Sequence, residues 1–253
     1  MISCRVGANA LRAKNRGNLR GEVLIETDIL VLGSGVAGLS FALKASAYGS
    51  VSIVTKKERA ESNTNYAQGG IACVLTETDS FESHVSDTLT AGDWLCDEKV
   101  VRDIITEGPQ RVRELAELGV NFSRAEDGSF HLGREGGHSR RRVIHAEDLT
   151  GRAVETALLS AVANNSNITV YEDQLAVNLV VGWKENKCFG AYILDKETGR
   201  IIPYSAKLTV LATGGAGHVY LHTTNPDIAT GDGVAMAYRA GAQIANMEFI
   251  QFH

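Results

Sequence analysis

The stretch Asp28-Ile29-Leu30-Val31-Leu32-Gly33-Ser34-Gly35-Val36-Ala37-Gly38 decides how this 253-residue chain is read. Ile29 to Leu32 is an unbroken apolar run, the pattern of a strand buried on both faces of a parallel sheet. Three glycines follow, and residues 39–48 then show helical periodicity up to Gly49, a helix stop. Val51-Ser52-Ile53-Val54-Thr55 is a second strand, and the crossover between the two is long enough for a parallel pair. In such a unit Gly33 permits the tight turn, Gly35 lets a pyrophosphate approach the backbone, and Gly38 lets helix and strand pack closely. The backbone from Ser34 through Val36 and Ala37 offers N–H donors and the positive end of a helix dipole to that anion. The glycine spacing alone is weak evidence. With strand, helix and strand in order around it, dinucleotide binding is predicted.

The end of the second strand leaves two readings open. A nicotinamide dinucleotide usually meets an acid there, about 20 residues on from the glycines. This chain has Thr55-Lys56-Lys57, with Glu58 just beyond, which weakens that assignment. Lys56 either meets a ribose or phosphate or is a solvated lysine at a strand end.

Further along, residues 56–71 are polar and read as loop. Residues 97–118 read as two helices broken near Gly108-Pro109, with Gly119 ending the second. Residues 123–148 are rich in Gly, Arg and His without periodicity, which marks a functional loop. A helix starts near Thr150 with Val154, Ala157, Leu158 and Ala161 on one face. Residues 169–171, 176–181 and 189–194, a turn at 195–199 and Ile201-Ile202 make a small antiparallel meander. Residues 207–212 are another buried strand, and 233–241 are helical. The fold class is α/β: a Rossmann-like domain over residues 23–253, with a parallel sheet and a small antiparallel meander, behind a leader of residues 1–22.

Composition narrows the function classes. An apolar content of 44% suffices for a packed core. The net charge of −5 argues against a general nucleic-acid binder, and no apolar stretch approaches the ~18 residues of a membrane span. Cys4, Cys73, Cys96 and Cys188 form no Cys-x-x-Cys pair, so neither a zinc knuckle nor a redox dithiol is indicated, and a reducing compartment fits. The leader carries Arg5, Arg12, Lys14, Arg16 and Arg20 and no acid, as an organelle transit peptide does; a disordered basic tail is the plainer alternative.

Six further segments carry a resemblance. Ser62-Asn63-Thr64-Asn65-Tyr66-Ala67-Gln68-Gly69-Gly70, Arg134-Glu135-Gly136-Gly137-His138-Ser139 and Ala212-Thr213-Gly214-Gly215 are three of them. Asn225-Pro226-Asp227-Ile228, Thr230-Gly231-Asp232-Gly233 and Glu248-Phe249-Ile250-Gln251-Phe252-His253 are the others. Together with the glycine loop they resemble the fumarate reductase, succinate dehydrogenase and aspartate oxidase superfamily of flavoproteins over residues 25–253. Succinate dehydrogenases of that group carry, in the loop, a histidine that binds FAD covalently. The matching position here is Asn63, so the resemblance implies noncovalent FAD. The Tyr-Ala-Gln-Gly and Asn-Pro-Asp-Ile segments are most similar to the L-aspartate oxidase branch, which converts L-aspartate to iminoaspartate and passes electrons to O2 or fumarate. The product feeds quinolinate and NAD synthesis, which makes quinolinate synthase a candidate partner.

The resemblance also implies residue roles. Asn63, Thr64, Asn65, Tyr66, Ala67, Gln68, Gly69 and Gly70 wrap the flavin, with Gln68 at the ring edge and Gly69 and Gly70 near the point where hydride reaches N5. Gly214 lies in the Ala-Thr-Gly-Gly turn of the cofactor site, and Asp232 meets the ribityl or ring region. The plain reading of Asp232 is an N-cap for the helix that follows. Glu135 is the natural partner for the substrate's ammonium, against a salt bridge to Arg134, Arg140, Arg141 or Arg142. His253 binds a substrate carboxylate, with Gln251 assisting. Arg140 to Arg142 suggest a phosphate-binding patch, but with Glu135, Glu147 and Asp148 nearby they read as a solvated or dimer-facing strip, while His138 and His145 line the site or serve structure. No metal site is expected. The family's catalytic arginine and most of its capping domain would lie beyond His253, so the chain is read as a truncated piece without useful oxidase activity of its own. A succinate- or fumarate-specific flavoenzyme and a noncatalytic FAD module are the rival readings. The leader and the family's occurrence in plants suggest the chloroplast stroma, with the cytoplasm as alternative.

Overall fold

A computed structural model describes residues 2–5 (backbone only), 24–146, 149–182 and 184–251 of the chain. Its contacts group into two compact units, one from Met1–Asn63 and Leu159–His253, the other from Thr64–Leu158.

The first unit is built on a mixed sheet. Among the described residues seven strands join it: β1 (Ile2–Arg5), β2 (Ile25–Leu32), β3 (Val51–Val54) and four later ones, here numbered β7 (Ile168–Tyr171), β8 (Gln174–Gly182), β9 (Lys187–Asp195) and β10 (Ile201–Leu211). The order is β7-β3-β2-β10-β9-β8, with β1 lying antiparallel along the end of β10. β2, β3 and β7 run parallel, as does β10 against β2. β2 and β3 are joined by helix α1 (Val36–Ala45). Leu30, Val31 and Leu32 are fully buried, as the apolar run of β2 requires.

Two expectations need correction here. Residues 169–171 do not belong to the meander: β7 pairs in parallel with β3 at the opposite edge. Alternation alone could not tell a parallel edge strand from a meander strand. Ile201-Ile202 and residues 207–212 are not separate strands, since β10 runs unbroken through both. Its first half pairs antiparallel with β9 at Ile201 to Ser205, and its second half pairs in parallel with β2 from Tyr204 onward. Pro203 is tolerated because it lies before the β2 ladder begins, so no bond to β2 is asked of its missing N–H. The meander is thus β8-β9-β10, fused to the parallel sheet through one shared strand. Leu30, Leu32, Leu179, Ile193, Tyr204 and Met236 meet in a common core.

In the middle of β2, Asp28 accepts hydrogen bonds from Lys207 and from Ser50 N (2.9 Å) and Oγ (2.8 Å). The Lys207 bond foremost, then those of Ser50, hold its carboxyl down at about 2, from an ordinary 3.8. The folded state therefore takes up this proton later than the unfolded chain does. The contribution of Asp28 is complete above about pH 4 and is lost as pH falls toward 2. Asp28→Asn is expected to flatten the acid limb of the stability curve between these values, read by urea unfolding at stepped pH.

The second unit holds helix α2 (Asn63–Tyr66) from Thr64 onward, β4 (Ile71–Ala72), α3 (Phe81–Ala91), α4 (Glu98–Glu117), β5 (Leu132–Gly133), β6 (Val143–Ile144) and the first half of α5 (Thr150–Ala163). The short strands form an antiparallel sheet in the order β4-β6-β5, so the expected loop at 123–148 contains two strands. α4 corrects another expectation: it is one helix, with Pro109 inside it. Gly108 has no Cβ to clash with the proline ring. Pro109 also shares the buried face with Ile105 and Val112, and that burial offsets the helix-interior cost of proline, about 3 kcal/mol. α3 had no expectation attached, although its signal is present in the sequence. Ser80 caps it by accepting from Ser83 N at 3.1 Å, and Phe81, Val85 and Leu89 repeat every fourth residue toward Ile105. On α5 the buried face carries Val154, Ala157, Leu158 and Val162, with Ala161 half-buried.

Candidate functional site

In the first unit, the carboxyl ends of β2, β3, β7 and β10 lie along one edge of the sheet. β3 joins β2 on one side and β10 on the other, so the chain reverses direction of travel across the sheet at β2. An open α/β sheet binds ligands in the crevice outside such a reversal. Two segments border it: the turn 33–38 after β2 and 212–215 after β10. Gly33 has φ +114°, and a Cβ there would stand 2.2 Å from Ala212 O. A Cβ on Gly38 would stand 2.0 Å from Gly33 O. Both glycines are therefore demanded by backbone packing. Gly35 is the N-cap of α1 and contributes no side-chain cap. The first helical bond runs from Leu39 N to Gly35 O, so the amino end of the helix, with the positive end of its dipole, lies at this turn. Val36 and Ala37 are exposed there. Ser34 turns its hydroxyl inward, to Thr55 Oγ1 (3.0 Å) and Arg59 O (2.9 Å), so only its backbone is offered outward. An open helix start framed by close-packed glycines suits a pyrophosphate, and the residues present fit a dinucleotide.

Gly214 (φ +70°) lies beside Asn63, whose Nδ2 would be 3.6 Å from a Cβ on that glycine. Two residues assigned to the flavin by resemblance, 151 positions apart in sequence, are thus neighbours. Lys56 and Asp232 are likewise brought together: Lys56 Nζ donates to Asp232 Oδ2 at 2.5 Å and to Thr230 Oγ1 at 2.6 Å. Lys56 is therefore not a lone solvated lysine. Asp232 is not the cap of α6 (Asp232–Arg239) either. Gly231, at φ +75°, occupies the cap position, and the Asp232 carboxylate also accepts from Thr230 Oγ1 at 2.8 Å. The sequence reading missed this pairing because its partners are far apart along the chain.

In the second unit, residues 64–70 are tied to the start of α5. Gly151 N donates to Ala67 O at 3.0 Å, and a Cβ on Gly151 would stand 1.9 Å from Thr64 O. Tyr66, Ala67, Gln68 and Gly69 are exposed, while Asn65 is half-buried. Gly69 and Gly70 differ. Nothing lies within 4 Å of a Cβ on Gly69, whereas a Cβ on Gly70 would meet Ile144 O and Val143 Cγ1 at 2.5 Å and His145 Cδ2 at 2.9 Å. Gly69 leaves room for a ligand, and Gly70 serves the packing of β4 on β6.

Glu135 pairs with none of the four arginines considered for it. Its Oε1 lies 2.8 Å from His145 Nε2, and the carboxylate is about half exposed. Arg142 overturns the solvated-strip reading: its side chain is wholly buried, while Arg140 and Arg141 are exposed. Arg142 donates to both oxygens of Asp79 (2.8 and 2.7 Å), to Asp87 Oδ2 (2.7 Å) and to Ser83 Oγ (3.0 Å). Asp87 Oδ2 also accepts from Ser139 N and Oγ, both at 2.8 Å. Residues 134–139 are thus anchored to α3 at their carboxyl end, and Arg134 Nε donates back to His138 O at 3.1 Å. His138 packs edge-on against buried His84, with ring centroids 5.6 Å apart, so its surroundings are structural. Burial foremost, then the Arg142 charge, lowers the His84 pKa. Gln251 is described and exposed; Glu147, Asp148, Phe252, His253 and residues 6–22 of the leader lie outside the described residues. Among the described residues no group of three His, Cys, Asp or Glu could hold a metal ion, and no helix is long and apolar enough to cross a membrane.

The chain is 52% identical over 254 positions to the chloroplastic L-aspartate oxidase of Oryza sativa, an alignment that covers 100% of this chain and 39% of the rice protein. It is 48% identical to the L-aspartate oxidase of Vibrio cholerae, covering 90% of this chain and 44% of that protein. The chain thus spans well under half the length of these relatives. Among solved structures, an E. coli quinol fumarate reductase superposes with a TM-score of 0.82 at 32% identity, over 86% of this chain and 37% of that one. Its mixed α/β architecture is that of the fumarate reductase flavoproteins. The family model described as "FAD binding domain" matches residues 28–253, from the first buried strand through the last described helix and beyond. With the glycine cradle at 33–38 inside that span, the chain belongs to the FAD binding domain family.

Proposed function

We propose that this chain holds FAD noncovalently and serves the oxidation of L-aspartate to iminoaspartate, with O2 or fumarate as final electron acceptor. The observation that carries the substrate assignment is the Glu135 carboxylate, half exposed and held by His145 without any arginine to neutralise it. L-Aspartate differs from succinate by one ammonium group, and a carboxylate is its matching partner. In this reading the backbone of 33–38 binds the pyrophosphate, while Asn63 to Gly69 and Gly214 flank the flavin. Lys56 and Asp232 form a fixed polar pair at the cofactor, and His253 and Gln251 grip a substrate carboxylate. Bound FAD supplies the two-electron acceptor for the substrate's Cα–H bond. The residues of this chain orient the amino acid against it and shield it from water. Asn63, where covalent relatives have histidine, supports a flavin without a tether. The names of the plant relatives, the acid-free leader and the reaction product support the chloroplast stroma as location and quinolinate synthase as a consumer of the product.

The test uses full-length, FAD-loaded protein. Anaerobic L-aspartate is expected to bleach the flavin absorbance, and acid precipitation to release the flavin into the supernatant. Glu135→Gln is expected to raise KM for L-aspartate about 10- to 100-fold, the scale of a lost charge-assisted contact. Bleaching by succinate alone, or flavin that stays with the precipitate, would overturn the proposal.

A further inference from the structure

We infer that His145 is a positioning residue for Glu135 and thereby sets the discrimination between amino and non-amino C4 dicarboxylates; the inference rests on the substrate reading above. His145 follows β6 directly, and its backbone is fixed because its carbonyl accepts from Ser123 N at 2.9 Å. Its ring lies between two glycines of the flanking strands. A Cβ on Gly70, just before β4, would stand 2.9 Å from Cδ2, and one on Gly133, in β5, 3.2 Å from Cε1. Any side chain at either position would press on the imidazole. The three-stranded sheet is therefore built with a slot for this ring, and the slot aims Nε2 at Glu135 Oε1.

Glu135 gains from this what its own backbone does not provide. It lies in the Glu-Gly-Gly-His turn with its side chain about half exposed, so burial alone does not fix its carboxylate. The loop is anchored through Ser139 and Asp87, four residues away from Glu135. Among the described residues, the Glu135 side chain hydrogen-bonds only to His145. It occupies Oε1 and leaves Oε2 for an incoming cation. Without the imidazole, a flexible three-carbon carboxylate would sample rotamers that miss a substrate ammonium, and binding would lose orientation. Succinate, which brings no ammonium, draws no benefit from that orientation. His145 therefore acts selectively on the amino acid.

The experiment compares His145→Ala, His145→Gln and Glu135→Gln in full-length, FAD-loaded protein, reading KM for L-aspartate and Ki for succinate as competitor. His145→Ala is expected to raise the ratio of KM to Ki about tenfold, with a smaller effect on kcat. His145→Gln keeps an N–H donor of similar reach and is expected to recover most of the loss. Thermal unfolding is followed in parallel, and the glutamine variant reports if the alanine variant does not fold. If His145→Ala raises KM and Ki together, the histidine is merely structural and the inference falls. If Glu135→Gln raises the ratio and neither His145 variant does, the inference fails while the substrate reading stands. If Glu135→Gln leaves the ratio unchanged, the assignment of Glu135 itself fails.

Discussion

Gly33→Ala is expected to yield protein with almost no bound flavin, and Gly38→Ala the same by a different route. At Gly33 the backbone sits at φ +114°, where an L side chain is strained, and the new methyl would lie 2.2 Å from Ala212 O. At Gly38 the methyl would lie 2.0 Å from Gly33 O, so the helix start must move away from the strand end. Neither clash is with a flexible side-chain tip. Left-handed strain costs on the order of 1–3 kcal/mol, and forced overpacking another 1–3 kcal/mol. A shift of even 1 Å in the 33–38 turn would also misplace the amides assigned to the pyrophosphate, which couples stability to cofactor retention. The measurement is flavin per polypeptide after gel filtration, beside a denaturant midpoint with and without added FAD. Gly69→Ala is the matched control: its methyl meets nothing within 4 Å in the chain, so stability should hold. Full flavin content in Gly33→Ala would show that the cradle does not bind the cofactor.

Arg142→Met is expected to cost about 3–5 kcal/mol, because it leaves two carboxylates without their buried counter-ion. The side chain of Asp79 is 1% exposed and that of Asp87 17% exposed, so neither can recover full hydration in place. Burial pushes the Asp87 carboxyl up, but bonds from Ser139 and Arg142 outweigh it and the net shift is downward. The stability gained at Asp87 is therefore present above the ordinary carboxylate range and lost as pH falls below it. In Arg142→Met the Arg142 part of that shift disappears, so the variant should also be less steeply acid-sensitive. Because Asp87 also anchors Ser139, loosening should appear first in residues 134–141, read by limited proteolysis or amide exchange. A loss below about 1 kcal/mol in urea unfolding would show that the two carboxylates do not depend on Arg142 as their counter-ion.

The sequence by itself determined the parts whose cause is local. β2, the glycine turn, α1 and β3 follow from an apolar run, three glycines and helical spacing within 27 residues, and these same residues name the cofactor class. The start of α5 and the helix after Gly231 were legible for the same reason, since caps and periodicity act over a few residues. What lies between distant segments was decided only by tertiary structure. Nothing near Arg142 says that it is buried rather than solvated; that depends on Asp79 and Asp87, more than 50 residues away. Nothing near Pro109 says that the helix survives it, because the compensation is burial in the folded chain. β10 looked like two strands because its two halves take different partners, and an arginine partner for Glu135 stayed open as an alternative because arginines adjoin it in sequence. Charge pairs, shared strands and the histidine slot between Gly70 and Gly133 are long-range choices. Their energies depend on which surfaces meet in the folded chain, and that is not encoded in any short window of sequence.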